Sequence, residues 1–250
     1  MERFRDQVAI IAGGARGIGK GIALRLASEG CQIVILDVLE DELNKTVQES
    51  LVQGLDIEGL VVDITQEKDV QKTILDLVNT RNRLDILVNC AGIVGQTAVK
   101  IGEYDTDIFD KVVAVNLRGA FLLTKYAIPP MLRQQYGRIL HISSIGGKEG
   151  NPGMVAYAAS KSALMGLVKG VGKEYAENGI TVNGLAPAVI ATDFNENTDP
   201  VMLKYMTDKI PMKRMGTIEE VASLACWIVS PEASFNTGYI FDLSGGRATY

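Results

Sequence analysis

The sequence predicts an α/β fold: a doubly wound parallel sheet of about seven strands with helices on both faces, in a single domain over residues 1–250. Three observations carry that expectation. Short apolar, β-branched runs recur without period-two alternation, the pattern of strands covered on both faces. Amphipathic stretches separate them almost end to end, which implies βαβ units with right-handed crossovers. No Pro/Ser linker, low-complexity run or internal repeat divides the series.

In chain order, Val8–Ala12 reads as the first strand and runs into glycines, with Gly17–Ser28 as the helix after it. Gln32–Asp37 is the second strand, followed by a helix over Glu40–Gln53. Gly59–Asp63 is the third. Asp63-Ile-Thr-Gln-Glu67 then supplies capping residues and an acidic first turn for a helix over Glu67–Thr80. Asp85–Asn89 and Arg138–Ser143 are the fourth and fifth strands, joined through a long helical stretch, Asp107–Gln135. Val155–Glu177 forms the next helix and Ile180–Leu185 the sixth strand. Thr217-Ile-Glu-Glu220 fits a capping box that opens the last helix, Ile218–Ser230, and Tyr239–Leu243 closes the sheet.

Composition narrows the function classes. With 47% hydrophobic and 22% charged residues the chain is an ordinary globular protein able to bury a sizeable core. A net charge of −5 lacks the basic footprint of nucleic-acid binding. No run approaches the roughly 18 apolar residues of a membrane span, and the start, Met1 to Ala12, is too short and wrongly flanked for a signal peptide. Cys31, Cys90 and Cys226 are far apart with no C-x-x-C pair, which suits reduced thiols in a cytoplasmic protein and neither a disulfide framework nor a metal site.

In doubly wound sheets ligands sit beyond the carboxyl ends of the strands, and six such ends carry chemically suggestive residues: Gly13–Gly19, Asp37, Asp63, Asn89–Gly92, Ser144 and Pro187. Gly13, Gly17 and Gly19 lie in a strand–turn–helix setting. There glycines allow close backbone approach to a pyrophosphate, and the helix N-terminus offers free N–H groups. This is the context of a Rossmann-type dinucleotide site. Gly14–Lys20 also fits the first seven positions of a triphosphate-binding loop, but the eighth is Gly21, so the Mg²⁺-holding hydroxyl is missing. Asp37, eighteen residues beyond Gly19, can accept hydrogen bonds from the adenosine ribose of NAD. It would also repel the 2′-phosphate of NADP: a charge pair near 4 Å amounts to about 4 kcal/mol at an effective dielectric of roughly 20. Arg16 points the other way, since an arginine in this turn could pair with that phosphate. The balance favours NAD.

Tyr157-Ala-Ala-Ser-Lys161 follows Ser144 by thirteen residues. Residues four apart share a helix face. An ammonium about 4–5 Å from the phenol would be worth roughly 3–4 kcal/mol and would lower the tyrosine pKa from about 10 by roughly 2–3 units, towards the range where proton transfer is efficient. His141, the lone histidine, lies inside the fifth strand and reads as a packed residue; its isolation removes Ser-His-Asp and metal-hydrolase hypotheses. Ser143 reads as the bland neighbour of Ser144.

Together these residues resemble the classical short-chain dehydrogenase/reductase family, over essentially the whole chain. The family pattern T-G-x-x-x-G-I-G appears as Ala12–Gly19 with alanine for threonine, and N-N-A-G as Asn89–Gly92 with Cys90 for the second asparagine. Asn116 matches the family's helix asparagine, and Ser144, Tyr157 and Lys161 its catalytic set. The proline-glycine turn appears as Pro187-Ala188, with Thr192 where a nicotinamide-contacting threonine belongs. The resemblance implies that Tyr157 moves the proton, Ser144 orients the substrate oxygen, and Lys161 lowers the tyrosine pKa and holds the nicotinamide ribose. Asn116 would support a water-mediated proton path. Cofactor contacts are expected at Gly13, Arg16, Gly17, Ile18 and Gly19 of the turn, and at Asp37, Asp63 and Ile64. Further contacts are expected at Asn89, Ala91, Gly92, Tyr157 and Lys161, and at Pro187, Val189, Ile190 and Thr192. The resemblance also implies a homotetramer with the helix after Val155 near an interface; Gly166, Gly170 and Gly172 would serve such close packing.

Two segments are expected to shape the substrate pocket, Ile93–Gly102 and Ala188–Lys213, the second long enough to act as a lid. Gln96 and Asn151 join Ser144 and Tyr157 as expected substrate contacts, with Lys148 and Glu149 near the mouth. Asn195, Glu196, Asn197 and Asp199 are polar lid positions, alongside Met202, Tyr205 and Met206. This supply suits a small hydroxylated substrate, a sugar, polyol or sugar acid. A 3-oxoacyl carrier-protein reductase is the alternative, and a non-catalytic dinucleotide sensor is the reading from another class.

Overall fold

The computed structural model describes residues 2–192 and 200–248, with the backbone alone at 200–203. Seven strands form one wholly parallel sheet in the order β3-β2-β1-β4-β5-β6-β7. They are β1 (Val8–Ala12), β2 (Gln32–Asp37), β3 (Ile57–Val61), β4 (Ile86–Asn89), β5 (Gly137–Ile142), β6 (Ile180–Pro187) and β7 (Ile240–Leu243). Strand order reverses between β1 and β4, whose ends meet where Ala12 pairs with Asn89. That is the switch point at which such sheets bind ligands.

Both faces are covered, which is why the strands read as unbroken apolar runs. Ala9 and Ile11 of β1 face one layer, where α1 (Gly17–Ser28) and α9 (Ile218–Ile228) contribute Ile22, Leu26, Val221 and Ala225. Val8, Ile10 and Ala12 face the other layer, where α3 (Glu67–Arg81) and α5 (Ala120–Gln134) contribute Val70, Ile74, Leu122 and Leu123. The α1–α9 contact is very close: a Cβ on Gly21 would stand 2.1 Å from Ile218 Cγ2. The missing hydroxyl of the triphosphate-loop motif therefore has a packing cause, since serine or threonine at 21 would collide with a stiff β-branched side chain.

Several elements depart from expectation. The third strand runs two residues earlier than predicted, because its register follows β2 from Ile33–Ile57 to Asp37–Val61. Gly59 is at its centre, where α2 (Glu40–Val52) descends so far that a Cβ would lie 2.9 Å from both Leu43 and Val47. Asp63 does not cap α3. It accepts from the Thr65 N–H and hydroxyl instead, at 2.9 and 2.8 Å, and Gln66 takes the N-cap position without a side-chain bond. The stretch expected as one helix is α4 (Thr106–Val113), a π-helical turn at Ala114–Gly119, and then α5. A short α6 (Ile145–Glu149) and α8 (Pro200–Asp208) were not foreseen, and α7 (Val155–Glu174) stops three residues early. The capping box at Thr217 is formed as expected, with both reciprocal bonds present.

The expected lid is held at its base: the Ala191 N–H donates to Gly216 O and the Gly216 N–H to Val189 O, at 2.9 and 3.0 Å. Asn195, Glu196, Asn197 and Asp199 lie outside the described residues.

Candidate active site

The glycine turn is a backbone-to-backbone fit. Gly13 and Gly17 have φ of +73° and +57°, the left-handed region that glycine occupies without penalty. A Cβ on Gly13 would stand 2.5 Å from the Ala91 nitrogen, and one on Gly19 2.1 Å from the Gly13 oxygen. The β1 and β4 exits are thus pressed together, further tied by the Cys90 N–H donating to Ala12 O at 2.8 Å. At the start of α1, Arg16 is the N-cap but makes no side-chain cap bond, so the first-turn N–H groups stay available to an anion. Ile18 is half-buried behind this turn, and Arg16 is exposed. Lys20, the would-be phosphate lysine of the competing motif, instead pairs with Glu49.

Asp37 closes β2 and is a hub for backbone donors. Its Oδ2 accepts from Ala15 N at 3.0 Å, and its Oδ1 from Val38 N and Leu39 N at 2.8 and 3.1 Å. These bonds point the carboxylate across the glycine turn, and the exposed Val38 and Leu39 flank it with apolar surface. Ile64, next to Asp63, is buried under the π-helical turn, where a Cβ on Gly119 would come within 2.6 Å of it.

The Ser144, Tyr157 and Lys161 side chains gather beyond β4 and β5. Ser144 caps α6, accepting from the Gly146 N–H at 3.1 Å, and its hydroxyl lies near enough to the Tyr157 phenol to favour the phenolate. One turn below, the buried Lys161 ammonium donates to Ile142 O at 2.7 Å and lies 5.8 Å from the Tyr157 ring centre. Asn116, wholly buried in the π-helical turn, clasps Ile93: its Oδ1 accepts from Ile93 N at 2.8 Å and its Nδ2 donates to Ile93 O at 2.9 Å. The same Nδ2 donates to Ser160 Oγ at 3.0 Å, and Ser160 donates to Tyr157 O at 2.8 Å. Gly92 lies between the two halves, its Cβ position 3.2 Å from both Asn116 Oδ1 and Lys161 Nζ. Thr192, from the far side, stands 3.9 Å from the Cβ position of Gly17. Pro187 ends β6, Ala188 N donates to Leu243 O at 3.0 Å, and Ile190 is buried beside Gly216.

The electrostatics correct one expectation. Burial pushes the Tyr157 phenol above its usual value of 10.0, and the Ser144 bond only partly opposes this. The ammonium is engaged by a carbonyl, and its own pKa is pushed down to about 8 by burial. Cys90, in the place of an asparagine, is packed with its thiol pushed up to about 12 by burial, while the turn around it keeps its hydrogen bonds.

Among the expected substrate contacts, Asn151 falls close to Ser144. The Cβ position of Gly146 is 2.8 Å from Asn151 Nδ2 and 3.5 Å from Ser144 Oγ. Gln96 has another engagement: its Oε1 accepts from Asp105 N at 3.0 Å while its own N–H donates to Tyr104 Oη at 3.0 Å, bracing the loop before α4. Lys148 pairs with Asp242 at 2.9 Å and Glu149 with Arg247 at 2.6 Å, binding the C-terminal segment over α6. Sequence reasoning missed Ser160, and Ser143, read as the bland neighbour of Ser144, donates its hydroxyl to Lys161 O at 3.0 Å. Polar residues in an apolar helix turn and at a strand end were the available signals.

The buried lysine carries a pH signature. Its pKa is lowered on folding from 10.5 to about 8, so between these values the unfolded chain holds a proton the folded protein has released, and stability rises with pH. Denaturant unfolding at pH 7.5 and 9.5 should show the parent gaining stability relative to Lys161→Met; a constant difference would refute the assignment.

Comparison with known proteins agrees with this geometry. The enoyl-(acyl carrier protein) reductase family model matches residues 13–248. The 2-dehydro-3-deoxy-L-rhamnonate dehydrogenase (NAD(+)) of Sphingomonas sp. (strain SKA58) is 38% identical over 99% of this chain and 98% of that protein. The 3-oxoacyl-[acyl-carrier-protein] reductase FabG of Thermotoga maritima is 35% identical, covering 98% of each. The crystal structure of an NAD+-bound xylitol dehydrogenase superposes with a TM-score of 0.92 at 31% identity, over 97% of this chain and 99% of that one. With its parallel sheet, switch-point glycine turn and Ser144–Tyr157–Lys161 group, the chain is an oxidoreductase of the classical short-chain dehydrogenase/reductase family.

Proposed function

We propose that the protein transfers a hydride between NAD and a secondary alcohol, ketone or lactol carbon of a sugar, polyol or sugar acid. The whole chain acts as one domain in this reading, with 188–213 as its substrate lid. The observation that carries the reaction is the grouping of Ser144, Tyr157 and the buried Lys161 just beyond β5, with the Lys161 ammonium held on Ile142 O and the Ser144 hydroxyl acting on the Tyr157 phenol.

The residues present fit a dinucleotide. The positive-φ glycines leave room for a pyrophosphate at the open end of α1, and Asp37, its carboxylate pre-oriented by three backbone donors, would face the ribose. Gly13, Gly17, Ile18, Gly19, Thr192, Asn89, Ala91 and Gly92 would line the cofactor, with Pro187, Val189 and Ile190 behind the nicotinamide end and Asp63 and Ile64 at the adenine end. Bound NAD⁺ would supply the hydride acceptor and a positive charge close to the phenol. Ser144 Oγ donates to the substrate oxygen, and Tyr157 Oη, as phenolate, takes the hydroxyl proton while the C–H electron pair leaves with its hydrogen. Lys161 Nζ stabilises the phenolate and would hold the ribose. Asn116, clasped to Ile93, keeps the path from Lys161 outward in register. In the unliganded protein burial keeps the phenol protonated, so the phenolate is expected only when cofactor charge joins that of Lys161.

The rhamnonate dehydrogenase and xylitol dehydrogenase relatives act on a sugar acid and a polyol by name, which supports this substrate class, as does Asn151 beside Ser144. Carrier-protein reductases are the alternative because relatives of that name are nearly as similar; Asp37 and the net charge of −5 weigh against it. We also propose a cytoplasmic homotetramer. Gly166 and Gly170 leave open space on α7, Phe121 of α5 is exposed, and Phe235 and Tyr239 are exposed near the β7 edge.

An NADH-absorbance screen over aldoses, polyols, sugar acids and 3-oxoacyl thioesters tests the substrate class, and turnover confined to the thioesters would reverse it. On the substrate found, Tyr157→Phe should lower kcat by about 10²–10⁴-fold with NAD binding retained; unchanged turnover would sink the mechanism. Asp37→Ala should raise NADP use relative to NAD by about tenfold or more, since even half of a roughly 4 kcal/mol repulsion exceeds that factor. Strict NAD preference in that variant would refute the repulsion argument. A native-mass measurement on protein from the cytoplasmic fraction should give four chains, and a monomer would exclude the assembly.

A further inference from the structure

His141, absent from the reaction above, is wholly buried in β5, in register with Asn89 of β4. Its Nε2 is 3.0 Å from Thr124 Oγ1 and its Nδ1 is 3.4 Å from Asn89 Nδ2. The proton positions follow from counting donors. Thr124 has one hydroxyl proton and donates it to Ala120 O at 2.7 Å, so its oxygen faces His141 as an acceptor and Nε2 carries the ring proton. Nδ1 is then a bare lone pair that accepts from the Asn89 amide. Burial and the nearby Lys161 charge hold the ring neutral, its pKa pushed down to about 3.

With Nδ2 fixed by the imidazole, Asn89 must present Oδ1 to the turn, where it accepts from Ala91 N at 3.2 Å. Ala91 is the residue against which Gly13 is pressed, and Gly92 separates Asn116 Oδ1 from Lys161 Nζ. An inverted Asn89 amide would point N–H at N–H, leave a buried donor unpaired, and free the turn on which both contacts depend.

We propose that His141 is a positioning residue for the cofactor cleft: through Asn89 it fixes the Cys90–Gly92 turn between the glycine turn and the Lys161 ammonium. The proposal rests on the dinucleotide reading of that cleft. It separates the two ends of the ring, since only Nδ1 reaches the cleft and Nε2 ties β5 to α5.

Two amide substitutions divide those ends. The shorter His141→Asn can return an acceptor near the Nδ1 position, whereas the longer His141→Gln reaches Thr124 and leaves Asn89 without its acceptor. NADH dissociation constants measured by fluorescence titration without substrate, with unfolding midpoints in parallel, provide the test. His141→Asn should bind NADH within about threefold of the parent and His141→Gln about tenfold more weakly, although both midpoints fall. Equal NADH affinity in the two variants, whatever their midpoints, overturns the proposal and leaves His141 a packing residue. If His141→Gln does not fold, His141→Met, which also leaves Asn89 without its acceptor, takes its place with the same expected loss, and parent-like affinity there overturns the proposal equally. A parent that binds no NADH overturns the cofactor reading and this proposal with it, whereas equal affinities overturn this proposal alone.

Discussion

A buried ammonium sets the terms for the catalytic end of the sheet. Lys161 is almost fully inaccessible, and among the described residues no salt bridge reaches it. Removing a charge from water is costly unless polar groups replace its hydration. Here the replacement comes from the Ile142 carbonyl, with Asn116 Oδ1 close by across Gly92. The depressed lysine pKa shows that the replacement is incomplete. That incompleteness leaves Lys161 short of partners, which suits the ribose and phenolate contacts proposed for it. Stability is given up at this point for chemistry, the usual relation at sites of perturbed pKa.

Holding such a charge in place requires the surrounding backbone to be over-determined. The end of β5 grips Lys161 through the Ile142 carbonyl, and the next residue does so through the Ser143 hydroxyl on its main-chain oxygen. The π-helical turn contributes Asn116, whose amide is satisfied on both ends by Ile93 and Ser160. The β4 exit contributes the Asn89–Gly92 turn, clamped between Gly13 and the lysine. Each of these supports ends at the same switch point, so the parallel order of the sheet, and not any one loop, gathers the site.

The Tyr157 phenol illustrates how spacing and environment differ as evidence. A four-residue interval correctly puts tyrosine and lysine on one helix face, and it suggests a lowered phenol pKa. In the folded protein the ammonium turns to a carbonyl and burial raises the phenol instead. The acid–base couple is therefore conditional on further positive charge. Under the proposed mechanism, that condition would favour proton transfer with cofactor present and keep a resting phenolate from forming without it.

Much of this protein was legible in the residues themselves. Seven apolar runs alternating with amphipathic ones specify a doubly wound sheet, because a strand buried on both faces admits no other pattern. Glycines at 13, 17 and 19, Asp37, and the Ser144–Tyr157–Lys161 spacing are local features of strand ends and one helix, and local features are written in sequence. What only the tertiary structure decided are the contacts made by backbone atoms and distant partners: Gly21 under Ile218, Ile142 O on Lys161, the π-helical turn that aims Asn116, and Gln96 drawn to Asp105. The early start of β3 and the failure of Asp63 to cap α3 belong here as well, since register with β2 overrode local propensity. His141 shows the divide most plainly. In sequence it is one apolar-strand histidine among hydrophobic neighbours, and only the packing of β4 and α5 on either side of β5 supplies the Asn89 and Thr124 that give its two nitrogens different tasks.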